Sequence, residues 1–271
     1  QKKACGIMGL SLFRKRDDSM SELPILNYDP TQKAVINPFR HEGYHFPPKM
    51  LLAFVTPDHL ADFYAEYHAQ EIGTLLTFSN VVRVQQIRFH GEAIGICPAV
   101  IGAPASAQII DFLIAYGAKQ IIAVGSCGVL LDKPENTLLV VTEALRDEGT
   151  SYHYLPAAPS IRLDADMAAA IQTSLASVGQ PAKPVKTWTN DAFFRETPAL
   201  IKQYTAAGYE VVEMECAALA AIAQFRGAKF GQILFTADSL ANQENYDARD
   251  FGRASHTRVL ALGVNCLADL N

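Results

Sequence analysis

Three carboxylates lie within one short stretch of the sequence, and their spacing could bring them to one edge of a sheet. Glu213 and Glu215 fall where an apolar strand gives way to an alanine-rich helix that Gly227 would end, and a strand over 230–236 then leads to Asp238. In open α/β sheets, ligands bind outside the carboxyl ends of the strands, so all three acids could face one crevice. On spacing alone, an anion at a helix start and an acid in a turn are the favoured explanations for Glu215 and Asp238.

Polar segments follow other predicted strands as well. After a strand over 120–124, Gly125-Ser126-Cys127-Gly128 is predicted to form a turn in which backbone N–H groups could converge on an anion and Ser126 could add a hydroxyl donor. Such a glycine-bracketed turn is common and weakly specific on its own. The polar loop 146–154 and the pair Phe193-Phe194 also follow strands. Two aromatic rings there could stack on a planar ligand or pack in the core.

The elements that must position these residues alternate between strands and helices. A strand over 51–55 precedes a helix that should begin at Thr56-Pro57 and run to about residue 70. Further strands are predicted over 74–84, 92–97, 138–142 and 183–188, and further helices over 103–115, 164–178, 215–226 and 248–270. This rhythm predicts an α/β fold, a single three-layer domain with a central mixed, mostly parallel β-sheet flanked by helices. Residues 1–48 are predicted to be an irregular N-terminal extension, and residues 49–271 the domain itself.

Composition excludes several classes of function. The chain has 271 residues, of which 49% are hydrophobic and 19% charged, so it can build a sizeable core. A net charge of −5 argues against a nucleic-acid partner. No apolar stretch approaches the length of a membrane span, so no membrane partner is expected and the predicted location is cytoplasmic.

The cysteines and histidines give no indication of a metal site. The five cysteines are scattered without any Cys-x-x-Cys pair, and the seven histidines lack a recognised ligand spacing. An odd number of widely spaced cysteines is typical of reduced thiols in an intracellular protein. We therefore expect no metal and no disulfide framework.

Six segments, taken together, match one protein family in order and approximate spacing: Gly102-Ala103-Pro104, Gly125 to Gly128, Arg146 to His153, Asp191 to Phe194, Glu213-Met214-Glu215 and Asp238. The sequence resembles the nucleoside phosphorylases of the purine nucleoside and uridine phosphorylase superfamily, which also includes nucleosidases. The resemblance implies a nucleoside phosphorylase-like fold and cleavage of an N-glycosidic bond, with inorganic phosphate as co-substrate and no other cofactor. It also implies a homo-oligomer, either a dimer or a hexamer.

The resemblance assigns roles to the residues of the nucleoside end. Glu215 would accept hydrogen bonds from the 2′ and 3′ hydroxyls of ribose, with Glu213 in support, and Met214 would pack under the sugar. Phe193 would stack on the base. Asp238 would protonate or hydrogen-bond N7 of a departing purine, as a positioned general acid.

The phosphate end departs from the family pattern. Ser126 and Gly125 match its phosphate-binding segment, but His59 replaces the arginine of a Gly-Asp-Pro-x-Arg motif, and Ala123 replaces a second arginine. Arginine matches phosphate bidentately and stays charged, so its loss weakens dianion binding unless another cation compensates. The candidates for that compensation are Arg83, Arg40 and Arg146. The predicted phosphate-binding residues are Ser126, Gly125, Arg83 and His59.

Several functions therefore remain open at the sequence level. The leading hypothesis is phosphorolysis of a nucleoside, and Asp238 favours a purine over a pyrimidine base. The alternatives are a nucleosidase that uses water, a uridine phosphorylase-like specificity for pyrimidines, and a nucleoside-binding protein without catalytic activity. All of them share a small nucleoside as the ligand.

Overall fold

The computed structural model describes residues 23–38 and 41–270. Residues 1–22 of the predicted extension, which include Cys5, lie outside these ranges, as does Arg40. The α-helices of the described residues are α1 (Pro57–Glu66), α2 (Ala103–Ala115), α3 (Ala165–Ser177), α4 (Pro198–Ala206), α5 (Cys216–Arg226) and α6 (His256–Asp269). Short 3-10 helices span Pro24–Leu26, Ser151–His153, Phe193–Arg195 and Arg253–Ser255.

The described strands form one sheet of ten. They are β1 (Lys49–Phe54), β2 (Gln70–Leu76), β3 (Val81–Phe89), β4 (Glu92–Pro98), β5 (Gln120–Val129), β6 (Leu138–Asp147), β7 (Ser160–Arg162), β8 (Lys183–Asn190), β9 (Val211–Glu213) and β10 (Lys229–Ser239). Their order is β10-β6-β8-β9-β5-β1-β4-β3-β2, with β7 on β6 and a further pairing of β10 with β5. Parallel ladders join β1 to β4 and β5, β5 to β10, and β8 to β6 and β9, and the remaining ladders are antiparallel. The predicted mixed sheet is confirmed.

Alternating side chains of the central strands divide the core into two halves. On β1, Met50 and Leu52 join one buried cluster, whereas Leu51 and Ala53 join another. The first cluster contains residues of α2 and α5, and the second contains residues of α1, α3 and α6. Because successive side chains of a strand point to opposite faces, the sheet is covered by helices on both sides. The three-layer architecture is therefore confirmed.

The predicted turn at 125–128 was wrong, because β5 continues through it to Val129. The glycines serve close packing instead of a turn. A Cβ at Gly125 would lie only 2.7 Å from Cβ of Phe54 on β1, and Gly128 pairs with Val212 on β9. The longer strand carries Ser126 to the carboxyl edge of the sheet as an exposed residue.

Two other predicted elements have different boundaries. The segment predicted as a single strand over 74–84 crosses the connection between β2 and β3, which pair antiparallel. The closing helix begins at His256 instead of residue 248, after a turn and a 3-10 helix. Helix α4, between β8 and β9, had no counterpart in the predicted elements. Boundaries depend on tertiary packing, which the local pattern does not contain.

The described part of the N-terminal segment packs on the end of α5. The Gln32 side chain donates to the carbonyl of Phe225 at 3.0 Å, and Arg226 donates to the carbonyl of Gln32 at 2.9 Å. Arg226 is also paired with Asp111 of α2 at 2.7 Å. The segment therefore contacts its own domain.

Four of the five cysteines lie within the described residues. Cys97, Cys127, Cys216 and Cys266 are buried with free thiols. Within residues 23–38 and 41–270, no helix combines the length and apolar character needed to cross a membrane.

Candidate active site

The junction between β9 and α5 is held by Glu213. Its Oε1 accepts the hydroxyls of Thr187 at 3.3 Å and Thr189 at 2.6 Å. Its Oε2 accepts the backbone N–H groups of Glu215 at 2.8 Å and Cys216 at 2.7 Å. Burial raises the pKa of this carboxyl, and the four donors oppose that rise. Glu213 therefore binds the exposed amides of the helix start and acts as a support for its neighbour.

Glu215, the N-cap residue of the same helix, is fixed by a second backbone contact. Its Oε1 accepts the N–H of Gly102 at 2.6 Å, and only 6% of the residue is exposed. Gly102 has φ of 100°, a conformation that favours glycine, so a side chain there would strain this contact. Burial, and then the charge of Glu213, raise the pKa of Glu215 to about 8. The carboxyl is thus held in one orientation and resists ionisation.

Asp238 lies near the end of β10 with one hydroxyl partner. The Tyr246 hydroxyl donates to its Oδ2 at 3.1 Å. Burial is the main cause of a raised pKa for Asp238, against the lowering effects of Tyr246 and Arg249. Asp238 is therefore a half-buried acid with a perturbed pKa, which makes it a candidate for proton transfer.

Glu196 is a second acid beside Asp238 that the sequence analysis missed. It accepts the side-chain amide of Asn190 at 3.4 Å, and burial followed by the charge of Asp238 raises its pKa to about 7. It follows the 3-10 helix Phe193–Arg195, and its polar neighbours in the sequence did not indicate a functional residue. Two neighbouring carboxyls therefore lie near Tyr246.

Phe193 follows β8 in an exposed position. Its ring and that of Phe194 have centroids 4.0 Å apart, and the two residues are 53% and 87% exposed. The alternative of core packing therefore does not hold for either ring. Asn190 shapes the turn before them by accepting the N–H of Ala192 at 3.0 Å. Met214, between the two glutamates, is half-buried.

The ends of β5, β9 and β10 meet at one place. A Cβ at Gly128 would lie 3.4 Å from Oδ1 of Asp238 and 3.1 Å from a methyl of Val212. Burial, with the charges of Glu213 and Asp238, raises the pKa of the Cys127 thiol, which follows Ser126 in β5. The structure thus brings the residues predicted at 126, 213 and 238 to one edge of the sheet.

At the predicted phosphate end, His59 lies on the first turn of α1. Its Nδ1 is in hydrogen-bond contact with the hydroxyl of Thr56, and its ring stacks on that of His256. His256, at the start of α6, was absent from the sequence-based candidates because the two histidines are far apart in the chain. The spacing of histidines along the sequence does not predict this contact.

Arg146 and Arg83, two of the arginines considered as replacements, both have partners within the protein. Arg146 is buried and donates to the Ser151 hydroxyl at 2.8 Å and to the carbonyls of Pro156 and Leu155 at 2.7 and 3.2 Å. It holds the 151–156 loop together. Arg83 lies on β3 and pairs with Glu71 at 3.5 Å, and its side chain is 62% exposed.

Comparison with known proteins identifies the relatives of this chain. The sequence profile of a family described as "Phosphorylase superfamily" matches residues 51–268. Guanosine phosphorylase of Halorubrum lacusprofundi is 26% identical over 183 residues, which are 65% of this chain and 74% of the relative. A DeoD-type purine nucleoside phosphorylase of Dichelobacter nodosus is 28% identical over 205 residues, or 71% and 81% of the two chains. Uridine phosphorylase of Thermococcus kodakarensis is 26% identical over 72% of this chain and 74% of its own.

Solved structures share the fold. Purine nucleoside phosphorylase of Toxoplasma gondii superposes with a TM-score of 0.70 at 20% identity, covering 83% of this chain and 91% of its own. Uridine phosphorylase of Vibrio fischeri also gives 0.70, at 22% identity, covering 93% and 98%. AMP nucleosidase of Bacteroides thetaiotaomicron gives 0.65 at 21% identity, covering 82% and 88%. Since all three share one architecture, the fold does not distinguish phosphorolysis from hydrolysis.

Proposed function

Because this chain belongs to the phosphorylase superfamily, we propose that it is a nucleoside phosphorylase that cleaves the N-glycosidic bond of a purine nucleoside. Inorganic phosphate attacks the anomeric carbon as the bond to the base breaks, which yields the free base and ribose 1-phosphate. Relatives named as purine and uridine phosphorylases support the reaction class. The choice of a purine depends on Asp238.

The observation that carries the proposal is the position of Asp238 at the carboxyl edge of the sheet, where a Cβ at Gly128 of β5 would lie 3.4 Å from its Oδ1. Burial also raises the pKa of this carboxyl. A departing purine takes the electron pair of the broken bond into its ring and becomes basic at N7. An acid placed there can donate a proton or a hydrogen bond to N7, which lowers the barrier to departure. A pyrimidine has no N7, so this acid would lack its acceptor.

Glu215 and Phe193 complete the proposed nucleoside site. Glu215 accepts hydrogen bonds from the ribose hydroxyls in its ionised form, and its contact with Gly102 fixes the direction of the carboxyl. The exposed ring of Phe193 stacks on the base, with Met214 under the sugar. Ser126 donates to phosphate from the end of β5, and Gly125 allows the close strand packing that places it.

One assay tests the proposal against its alternatives. The purified protein is incubated with inosine, guanosine, adenosine and uridine, with and without phosphate, and free base is measured by chromatography. We expect base release from at least one purine nucleoside only when phosphate is present, together with ribose 1-phosphate. Release without phosphate would indicate a nucleosidase, release from uridine alone would indicate pyrimidine specificity, and binding without release would indicate a protein without catalytic activity.

A further inference from the structure

A stacked pair of histidines lies where the family resemblance leads one to expect an arginine. The rings of His59 and His256 have centroids 5.0 Å apart and an interplanar angle of 22°. Thr56 joins them, since its backbone N–H donates to Nδ1 of His256 at 3.4 Å and its hydroxyl contacts Nδ1 of His59. One residue at the start of α1 thus orients both imidazoles.

The pair lies on the same side of the sheet as Ser126. Phe235 of β10 is paired with Ser126 of β5, and its ring packs edge-on against His256 at 5.0 Å. Residues paired in parallel strands point to the same face, and Phe235 belongs to the face covered by α1 and α6, as does Val124 two residues before Ser126. The Ser126 hydroxyl and both histidines therefore share one face at the carboxyl edge of the sheet.

The contacts of the two rings give them different protonation behaviour. Nδ1 of His256 accepts the Thr56 N–H, so this ring carries its proton on Nε2 and would lose that bond on gaining a second proton. Burial, and then the nearby His59, lower the pKa of His256. The Thr56 hydroxyl, in contrast, can either donate to or accept from His59, so it suits both states of that ring. Of the two rings, His59 is thus the one whose hydrogen-bond partner accommodates either protonation state.

We propose that His59 binds the phosphate dianion in its imidazolium form, so that each phosphate is bound together with a proton, while Thr56 and His256 position the ring. The inference rests on the proposed function, which supplies phosphate as the co-substrate. An arginine at this place would be charged at every accessible pH, whereas histidine side chains change charge between about pH 5 and 8. Anion binding by this chain would therefore depend on the protonation of a side chain, whereas binding by an arginine would not.

Charged groups of both signs lie around His59. On α1, Asp58 precedes it and Asp62 lies one turn later. From the side of α6 it faces His256 and, next to that ring, Arg253, which is paired with Asp250 at 3.9 Å. The positive ends of α1 and α6 favour an anion at this place.

Sulfate is the suitable probe, because it remains a dianion where phosphate itself titrates. Its affinity is measured by calorimetry from about pH 6 to 8.5, in two buffers of different ionisation enthalpy, to count the protons taken up. We expect the number of protons taken up per bound sulfate to approach one at the upper end of this pH range. The affinity for sulfate should fall there by about tenfold per pH unit. The His59→Arg variant should bind sulfate with little pH dependence, and His59→Gln should bind at least about tenfold more weakly at pH 6.

Arg253→Gln is the matched control, because it removes the neighbouring cation and leaves both histidines. It should keep the wild-type pH dependence, and circular dichroism should show that every variant is folded. Sulfate affinity that is independent of pH in the wild type, unchanged in His59→Gln, or lost only in Arg253→Gln would overturn the inference. Base release without phosphate would instead overturn the proposed function, and the sulfate titration would still decide the role of His59.

Discussion

The two ends of the candidate site are built by different means. At the nucleoside end, Glu213 and Glu215 are almost fully buried, and backbone N–H groups of Glu215, Cys216 and Gly102 fix their oxygens. At the phosphate end, Ser126 is exposed and His59 is held through a side-chain hydroxyl. The first end is preorganised by backbone groups of the fold, whereas the second depends on contacts between side chains. Removal of a buried acceptor at the first end should therefore disturb the protein more than removal of an exposed hydroxyl at the second.

The largest expected effect on the reaction comes from Asp238→Asn. The amide keeps the size of the side chain and can hydrogen-bond N7, but it cannot transfer a proton. We expect kcat for a purine nucleoside to fall by about 10²- to 10⁴-fold, with KM changed little. The measurement is steady-state kinetics at saturating phosphate, with Tyr246→Phe as a control that removes only the hydroxyl partner. An unaltered kcat in Asp238→Asn would exclude the assigned role.

Glu213→Ala should show how strongly the nucleoside end depends on buried hydrogen bonds. The change leaves two hydroxyls and two backbone N–H groups without their acceptor, so we expect a loss of about 2 to 4 kcal/mol in the free energy of unfolding. Ser126→Ala, the matched change at the phosphate end, should cost less than about 0.5 kcal/mol because the residue is exposed. Both values come from urea denaturation. Equal losses in the two variants would show that the two ends do not differ in this way.

Nucleoside binding should release protons, opposite in sign to the uptake proposed for the anion. Burial and Glu213 raise the pKa of Glu215 to about 8, so the free carboxyl binds a proton at neutral pH. Ribose hydroxyls donate to the ionised carboxylate and lower its pKa, so binding expels the proton and affinity rises as the pH approaches about 8. Calorimetry of a nucleoside with the Asp238→Asn protein isolates this effect. Proton uptake in that protein, or the same release after a further Glu215→Gln change, would contradict it.

The sequence predicted most of the sheet and the acids but not the contacts between distant segments. Periodicity and the helix boundary at Gly227 located β9, α5 and β10, because these are local properties. The turn predicted at Gly125 failed because the glycine is required by Phe54, which lies on another strand. His256 and Glu196 could not be singled out for the same reason. The order of strands in the sheet brings their partners to them, and the spacing of residues along the sequence does not predict those contacts.

The smallest expected effect concerns Phe193, which tests whether the exposed aromatic pair belongs to the nucleoside end. Stacking of an aromatic pair contributes about 0.5 to 1.5 kcal/mol, so Phe193→Ala should raise the Kd for a purine nucleoside by about 2- to 12-fold. Phe194→Ala is the matched control, because that ring lies beside Phe193 and is more exposed, and it should change Kd less. Both are measured by calorimetry at one pH. If Phe194→Ala weakens binding more than Phe193→Ala, the stacking role belongs to the other ring, and the base lies on the outer side of the pair.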